Sequence, residues 1–190
     1  MNDLILNKTF TDQDFSNQKV PGAEYDNCTF VNCNFTETNL SVVLFLECTF
    51  TNCNFTNAMV KQTSFRDECC FENCKLLGVN FSSCNNFMFS VKFVDSSLDY
   101  ASFYGFELKN TSFVGCKLIG ADFTEAVVTG TEFKECDLST AIFEQTNVEK
   151  VDFRTARNFD IDPANNKLKK ARFSKNNIEG LLKKYDLLIE

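Results

Sequence analysis

The sequence predicts an all-β solenoid in which the chain turns a corner every five residues and closes a square coil every twenty, with about eight coils and a short C-terminal α-helix. Two observations carry that prediction. The stretch Cys28–Leu40, CTFVNCNFTETNL, returns twenty residues later as CTFTNCNFTNAMV over Cys48–Val60. Large apolar residues also recur at every fifth position, which matches neither the 3.6-residue period of a helix nor the two-residue period of a strand. Coils of twenty that pair as strands would stack at about 4.8 Å.

The series begins Phe10, Phe15, Val20, Tyr25 and runs without a break to Phe65. One residue is inserted near Arg66–Cys70 and two around Asn85–Ser90, and the spacing is strict again from Phe93 to Phe153. Taking every fourth centre sorts the residues into columns. The first contains Phe10 and then Phe30, Phe50, Phe71, Phe93, Phe113, Phe133 and Phe153, which are the expected structural core. The second changes from Phe15, Phe35 and Phe55 to Leu76, Leu98, Leu118 and Leu138, and the third runs from Val20 to Phe143. The fourth is interrupted at Asn86, where Phe87 or Met88 is expected to substitute.

The slot two residues before each centre holds small side chains, as a narrow interior requires. Nine of the ten cysteines, all but Cys70, occupy it, so they read as small packing residues rather than as disulfide partners or zinc ligands. The remaining positions are mainly Asn, Asp, Thr, Ser, Glu and Lys, suited to turns and a wet exterior.

Ala121-Asp-Phe-Thr-Glu125 and Cys136-Asp-Leu-Ser-Thr140 resemble the A(D/N)Lxx motif of the pentapeptide repeat family, and the resemblance extends over about residues 8–155. It implies a right-handed quadrilateral β-helix with Phe or Leu inside. The division expected is 1–155 for the β-helix and 156–190 for a terminal partial coil, capping helix and dimerisation tail. The first coil departs from the pattern with Lys8, Gln13 and Gln18 in small-residue slots, and is expected to act as a polar cap.

In the tail, Ala171-Arg-Phe-Ser-Lys175 adds one repeat-like turn, and Ser174 or Asn176 is expected to cap a helix. Ile178, Leu181, Leu182 and Tyr185 fall at helical spacing and are followed by Leu187 and Leu188. These residues suit either a cover for the open end of the solenoid or a two-fold contact. Resemblance to the Qnr-type quinolone-resistance members, in which a similar segment joins two rods end to end, implies a homodimer.

The chain has no His, no phosphate-binding glycine loop and no nucleophile–base pair, so no catalytic, metal or cofactor site is expected. The start, MNDLILNKTF, lacks the basic and apolar regions of a signal peptide, and no apolar run is long enough to span a bilayer; a cytoplasmic protein with no membrane contact is expected. Residues 1–153 carry 10 Lys+Arg against 21 Asp+Glu, a net of −11, whereas 154–190 carry 9 against 5, a net of +4. An acidic body repels nucleic acid and attracts basic protein surfaces. Asp122, Glu125, Glu132, Glu135, Asp137 and Glu144 are the expected partner-binding acidic face.

The Qnr-type resemblance implies an acidic DNA mimic that binds DNA gyrase or topoisomerase IV and confers quinolone tolerance. A rod of about 38 Å would replace duplex DNA holding about 22 charges, twice the net charge of the body. The interruptions are too short to project the long loops found in many Qnr-type proteins. The alternative is a general protein-interaction scaffold with a partner other than topoisomerase.

Overall fold

Most corners of the coil are built by a residue in the left-handed backbone region. At a representative corner the amide of Thr38 donates to the carbonyl of Phe35 at 3.1 Å, and Glu37 between them has φ +53°. That is the third-position conformation of a type II turn, which is why Asn, Asp and Gly recur there. The computed structural model describes residues 3–108 and 111–188.

Among the described residues, short parallel strands line two sides of the square. On one side β2 (Thr9–Thr11), β4 (Thr29–Val31), β6 (Thr49–Thr51), β8 (Cys69–Glu72), β9 (Val91–Val94), β10 (Ser112–Val114) and β11 (Glu132–Lys134) form a seven-stranded sheet in chain order. On a neighbouring side β1 (Asp3–Leu6), β3 (Ala23–Asp26), β5 (Leu44–Leu46) and β7 (Ser64–Arg66) form a four-stranded sheet. Single bridges such as Asp14↔Asn34↔Asn54 and Ser102↔Asp122↔Ile142 carry the other two sides. The sides are called first to fourth after the columns headed by Phe10, Phe15, Val20 and Tyr25. Seven strands enclose six turns; the further rungs of the expected eight coils are single bridges, Glu132↔Asp152 and Asp152↔Arg172.

The first column is a continuous aromatic stack. Phe10 lies over Phe30 at 4.8 Å, and the ladder continues through Phe50, Phe71, Phe93, Phe113, Phe133 and Phe153 to Phe173. Phe30 through Phe153 in this column are buried. Burial of each ring contributes roughly 1.5–3 kcal/mol. Rings on adjacent sides meet edge to face, as Phe50 and Phe55 do, and so do rings on opposite sides, as with Phe113 and Phe123.

The small-residue slot also carries hydrogen bonds. Thr38, Thr63 and Thr146 donate to the carbonyls of Phe15, Leu40 and Phe123, each 23 residues earlier. Cysteine thiols take the same place: Cys48 donates to Tyr25, Cys53 to Phe30 and Cys136 to Phe113 at 3.3–3.4 Å. Burial pushes the Cys48 and Cys69 thiols up to about 12, and all ten cysteines are free. Lys8, Gln13 and Gln18 stand in this slot on the first coil. Gln13 Nε2 bonds the Thr11 carbonyl at 2.9 Å and Gln18 Nε2 the Asp14 carbonyl at 3.3 Å, so these amides turn onto the first coil's own backbone.

Three expectations are corrected here. At the second insertion neither Phe87, 63% exposed, nor Met88, 59% exposed, fills the fourth column; Phe89 does. Asn85 Oδ1 accepts from the Phe87 amide, Met88 turns with φ +58°, and the loop delivers Phe89 inward against Phe65, Phe81 and Phe106. Phe87 instead lies outside under the Arg66 guanidinium.

The expected C-terminal α-helix is two 3-10 turns, Ile178–Leu181 and Lys183–Tyr185. Gly180 is pressed on Phe159, where a Cβ would stand 2.3 Å from the ring, and its carbonyl accepts from the Ile161 amide. That contact and a poor helix former hold the segment in short turns. Asn177, rather than Ser174 or Asn176, stands at the N-terminal cap position, but its side chain makes no bond to the turn: its Nδ2 donates instead to the carbonyls of Phe153 and Ala156 at the open edge.

Candidate interaction surface

The six acidic residues do not share a face. A five-residue step is a quarter turn, so neighbours in sequence are sent to different sides. Glu132 and Glu135 belong to the first side and its following corner, Asp137 to the second, and Asp122, Glu125 and Glu144 to the third. On the first side Glu132 and Lys134 line a shallow open trough of about 490 Å³ with Glu68, Lys92, Val94 and Val114. One coil further on, Asp152 is held by Arg154 at 2.7 Å and Arg172 at 3.2 Å. On the second side Asp137 sits in register between Lys117 and Arg157. Partial burial works against its charged form, but hydrogen bonds from Ser139 and Asn158, with Arg157 nearby, keep its carboxyl below the usual range. Acid and base therefore alternate on these two sides.

The third side differs. Here the outward positions include exposed Met59, Tyr104 and Ile142, with Tyr100 on the corner leading in. The Tyr104 hydroxyl donates to Glu125 Oε1 at 3.0 Å, and that bond together with the carboxylate charge raises the phenol above its ordinary value. Asp122 lies in register between Ser102 and Ile142, and Glu144 accepts from Asn165 Nδ2 at 3.3 Å. The side's cations, Lys19 and Lys61, lie on earlier coils. Exposed apolar residues and carboxylates thus share this side, Met59 two coils before Tyr104 and Ile142 two coils after.

Sequence reasoning passed over Tyr100, Tyr104, Met59 and Ile142. The signal was present: Met59, Tyr104 and Ile142 occupy outward positions where neighbouring coils carry Asn39 and Asn80, Ser82 and Thr124, and Asp122, and Tyr100 stands on a corner between Gly78 and Gly120. Of the tail residues, Leu181 packs against the core and Leu182 is half-buried, whereas Ile178, Tyr185, Leu187 and Leu188 are exposed.

The family model described as Pentapeptide repeat region matches residues 43–123 and 106–182. The chain belongs to the pentapeptide repeat family. No curated protein matches its sequence. Among solved structures, this pentapeptide repeat protein is similar to trypsin-treated QnrB1, a plasmid-mediated fluoroquinolone resistance protein, with a TM-score of 0.73, 16% identity and 100% of both chains covered. A second trypsin-treated form of QnrB1 gives a TM-score of 0.56 at 20% identity, covering 98% of this chain and 100% of that one. HetL, a pentapeptide repeat protein involved in heterocyst differentiation regulation from the cyanobacterium Nostoc sp. strain PCC 7120, gives 0.41 at 16% identity, covering 89% and 84%. The QnrB1 likeness at these identities shows a shared fold. Among the described residues no helix is long and apolar enough to cross a membrane.

Proposed function

We propose that this chain is a non-catalytic protein-binding rod that engages its partner through the third side. The observation that carries the reading is Tyr104 donating to Glu125 beside exposed Tyr100, with Asp122 and Glu144 on the following coils and exposed Met59 and Ile142 two coils to either side. Tyrosine supplies large contact area with a polar tip, and the carboxylates select a basic partner surface. A photo-crosslinking residue at position 104, compared with one at Val114 on the first side, tests this in the source cells. A discrete protein adduct from position 104 and none from 114 supports it; equal labelling, or none, rejects it.

The fold shared with QnrB1 supports one partner class in particular, type II topoisomerase. In that reading the acidic body imitates DNA in the basic groove of DNA gyrase or topoisomerase IV and confers quinolone tolerance. With Lys117, Arg157 and Lys134 interspersed among the acids elsewhere, the mimicry falls to Asp122, Glu125 and Glu144. Supercoiling by gyrase, with and without a fluoroquinolone, decides it: protection that weakens with salt supports the reading, and unaltered gyrase at micromolar protein ends it. A binding rod with a different partner would still label from position 104.

A further inference from the structure

The outer surface of the four-stranded sheet is unlike the other sides of the same coils. In register across β1, β3 and β5, Leu4, Glu24 and Leu44 form one row and Leu6, Asp26 and Leu46 the next. The corresponding rows elsewhere are polar: Thr9, Thr29 and Thr49 on the first side, Asp14, Asn34 and Asn54 on the second. Leu4 is 57% exposed and Leu6 47%, while Leu44 and Leu46 are half-buried. Two carboxylates thus stand inside a frame of four leucines, with Arg66 and Phe87 beyond them. Among the described residues no hydrogen bond or ion pair engages either the Glu24 or the Asp26 side chain.

A surface of this chemistry takes a segment that is apolar and cationic together. The opposite end of the rod presents one. Lys183 and Lys184 precede exposed Tyr185 and Leu187, and Leu188 is 96% exposed. The charges correspond as well, since residues 1–153 carry a net of −11 and 154–190 a net of +4. One molecule cannot bring the two together. The six turns of the seven-stranded sheet alone span roughly 30 Å, whereas the three residues after Tyr185 reach only about 10 Å.

We infer that the C-terminal segment of one copy docks on the leucine-framed carboxylates of a second copy. Leu187 and Leu188 cover Leu4, Leu6, Leu44 and Leu46, and the lysine ammonium groups approach Glu24 and Asp26, Lys184 leaving its present partner Asp162. The two surfaces are different, so the contact is heterologous: each added copy leaves one of each free, and assembly extends instead of closing.

Sedimentation velocity on the whole chain tests this. The wild type is expected to gain mass steadily from low to high micromolar concentration, less so in high salt. Leu6→Lys with Leu46→Lys removes the frame, and Leu187→Glu with Leu188→Glu removes the segment; all four positions face outward, and circular dichroism checks the fold. Each variant alone should stay monomeric, whereas an equimolar mixture should form a one-to-one pair, because one supplies the segment and the other the frame. Should the frame variant fail to fold, Glu24→Lys with Asp26→Lys tests the same surface. A frame variant that still self-associates like the wild type would show tail meeting tail, as in a two-fold dimer, and overturn the inference. So would a wild type that stays monomeric throughout.

Discussion

The ring of Tyr100 lies against the backbone of Gly120 on the next coil, where a Cβ would stand 2.7 Å from its Cε1 atom. Gly120 also has φ +64°, a region that side chains other than Asn and Asp enter at a cost. Gly120→Ala should therefore destabilise by about 1–2 kcal/mol from the backbone alone and displace Tyr100 as well. Adding Tyr100→Ser should return the steric part and leave the backbone part, which a double-mutant cycle in urea separates. Full additivity of the two changes would refute the contact.

Val42 offers the converse case. It is an exposed β-branched residue at φ +62°, on a corner where other coils use Gln62, Gly105, Glu125 and Gln145. Val42→Asn removes that strain without touching the core and should stabilise by about 1 kcal/mol. A lower midpoint of urea unfolding would contradict the strain argument.

The aromatic ladder predicts a cost that depends on position. Phe113 is stacked between Phe93 and Phe133, each 5.1 Å away, and Phe113→Ala should cost about 3–5 kcal/mol. Phe10 is half-buried, with one stacked neighbour, Phe30. Phe10→Ala should cost distinctly less, and equal losses in chemical denaturation would argue against a stack that ends at the first coil.

Stability should also fall in acid for a stated reason. The Asp152 carboxyl is lowered chiefly by its hydrogen bonds from Arg154, and that of Asp137 by Ser139 and Asn158 against partial burial. A carboxyl lowered in the folded state contributes above its unfolded value of 3.8 and loses that contribution as pH falls through the lower folded value. Unfolding free energies from pH 5 down to about 2 should decline, and Asp137→Asn should flatten the decline. An unchanged slope would remove Asp137 from the account.

The columns were legible in the sequence because the side chain at each centre is chosen against residues twenty positions away, and that constraint repeats at every coil. Phe89 was not legible. Three of the four residues from Phe87 to Ser90 are large and apolar, and only the turn set by Asn85 and Met88 decides which one points inward. The acidic surface was misread for a different reason. Asp122, Glu132 and Asp137 were grouped by coil, although steps of five and ten residues already assign them to different sides. Counting outward positions by column would have shown Tyr104 beside Asp122. In the tail, helical spacing was genuine periodicity, but the pressure of Phe159 on Gly180 has no local signal.

The insertion loop around Met88 leaves the ladder intact: Phe71 and Phe93, which flank it in sequence, still stack at 5.4 Å. Extra chain is thus shed sideways at a corner instead of being propagated along the axis. Length at that point is decoupled from the architecture, so a much longer excursion could be grafted there while the rungs above and below kept their alignment.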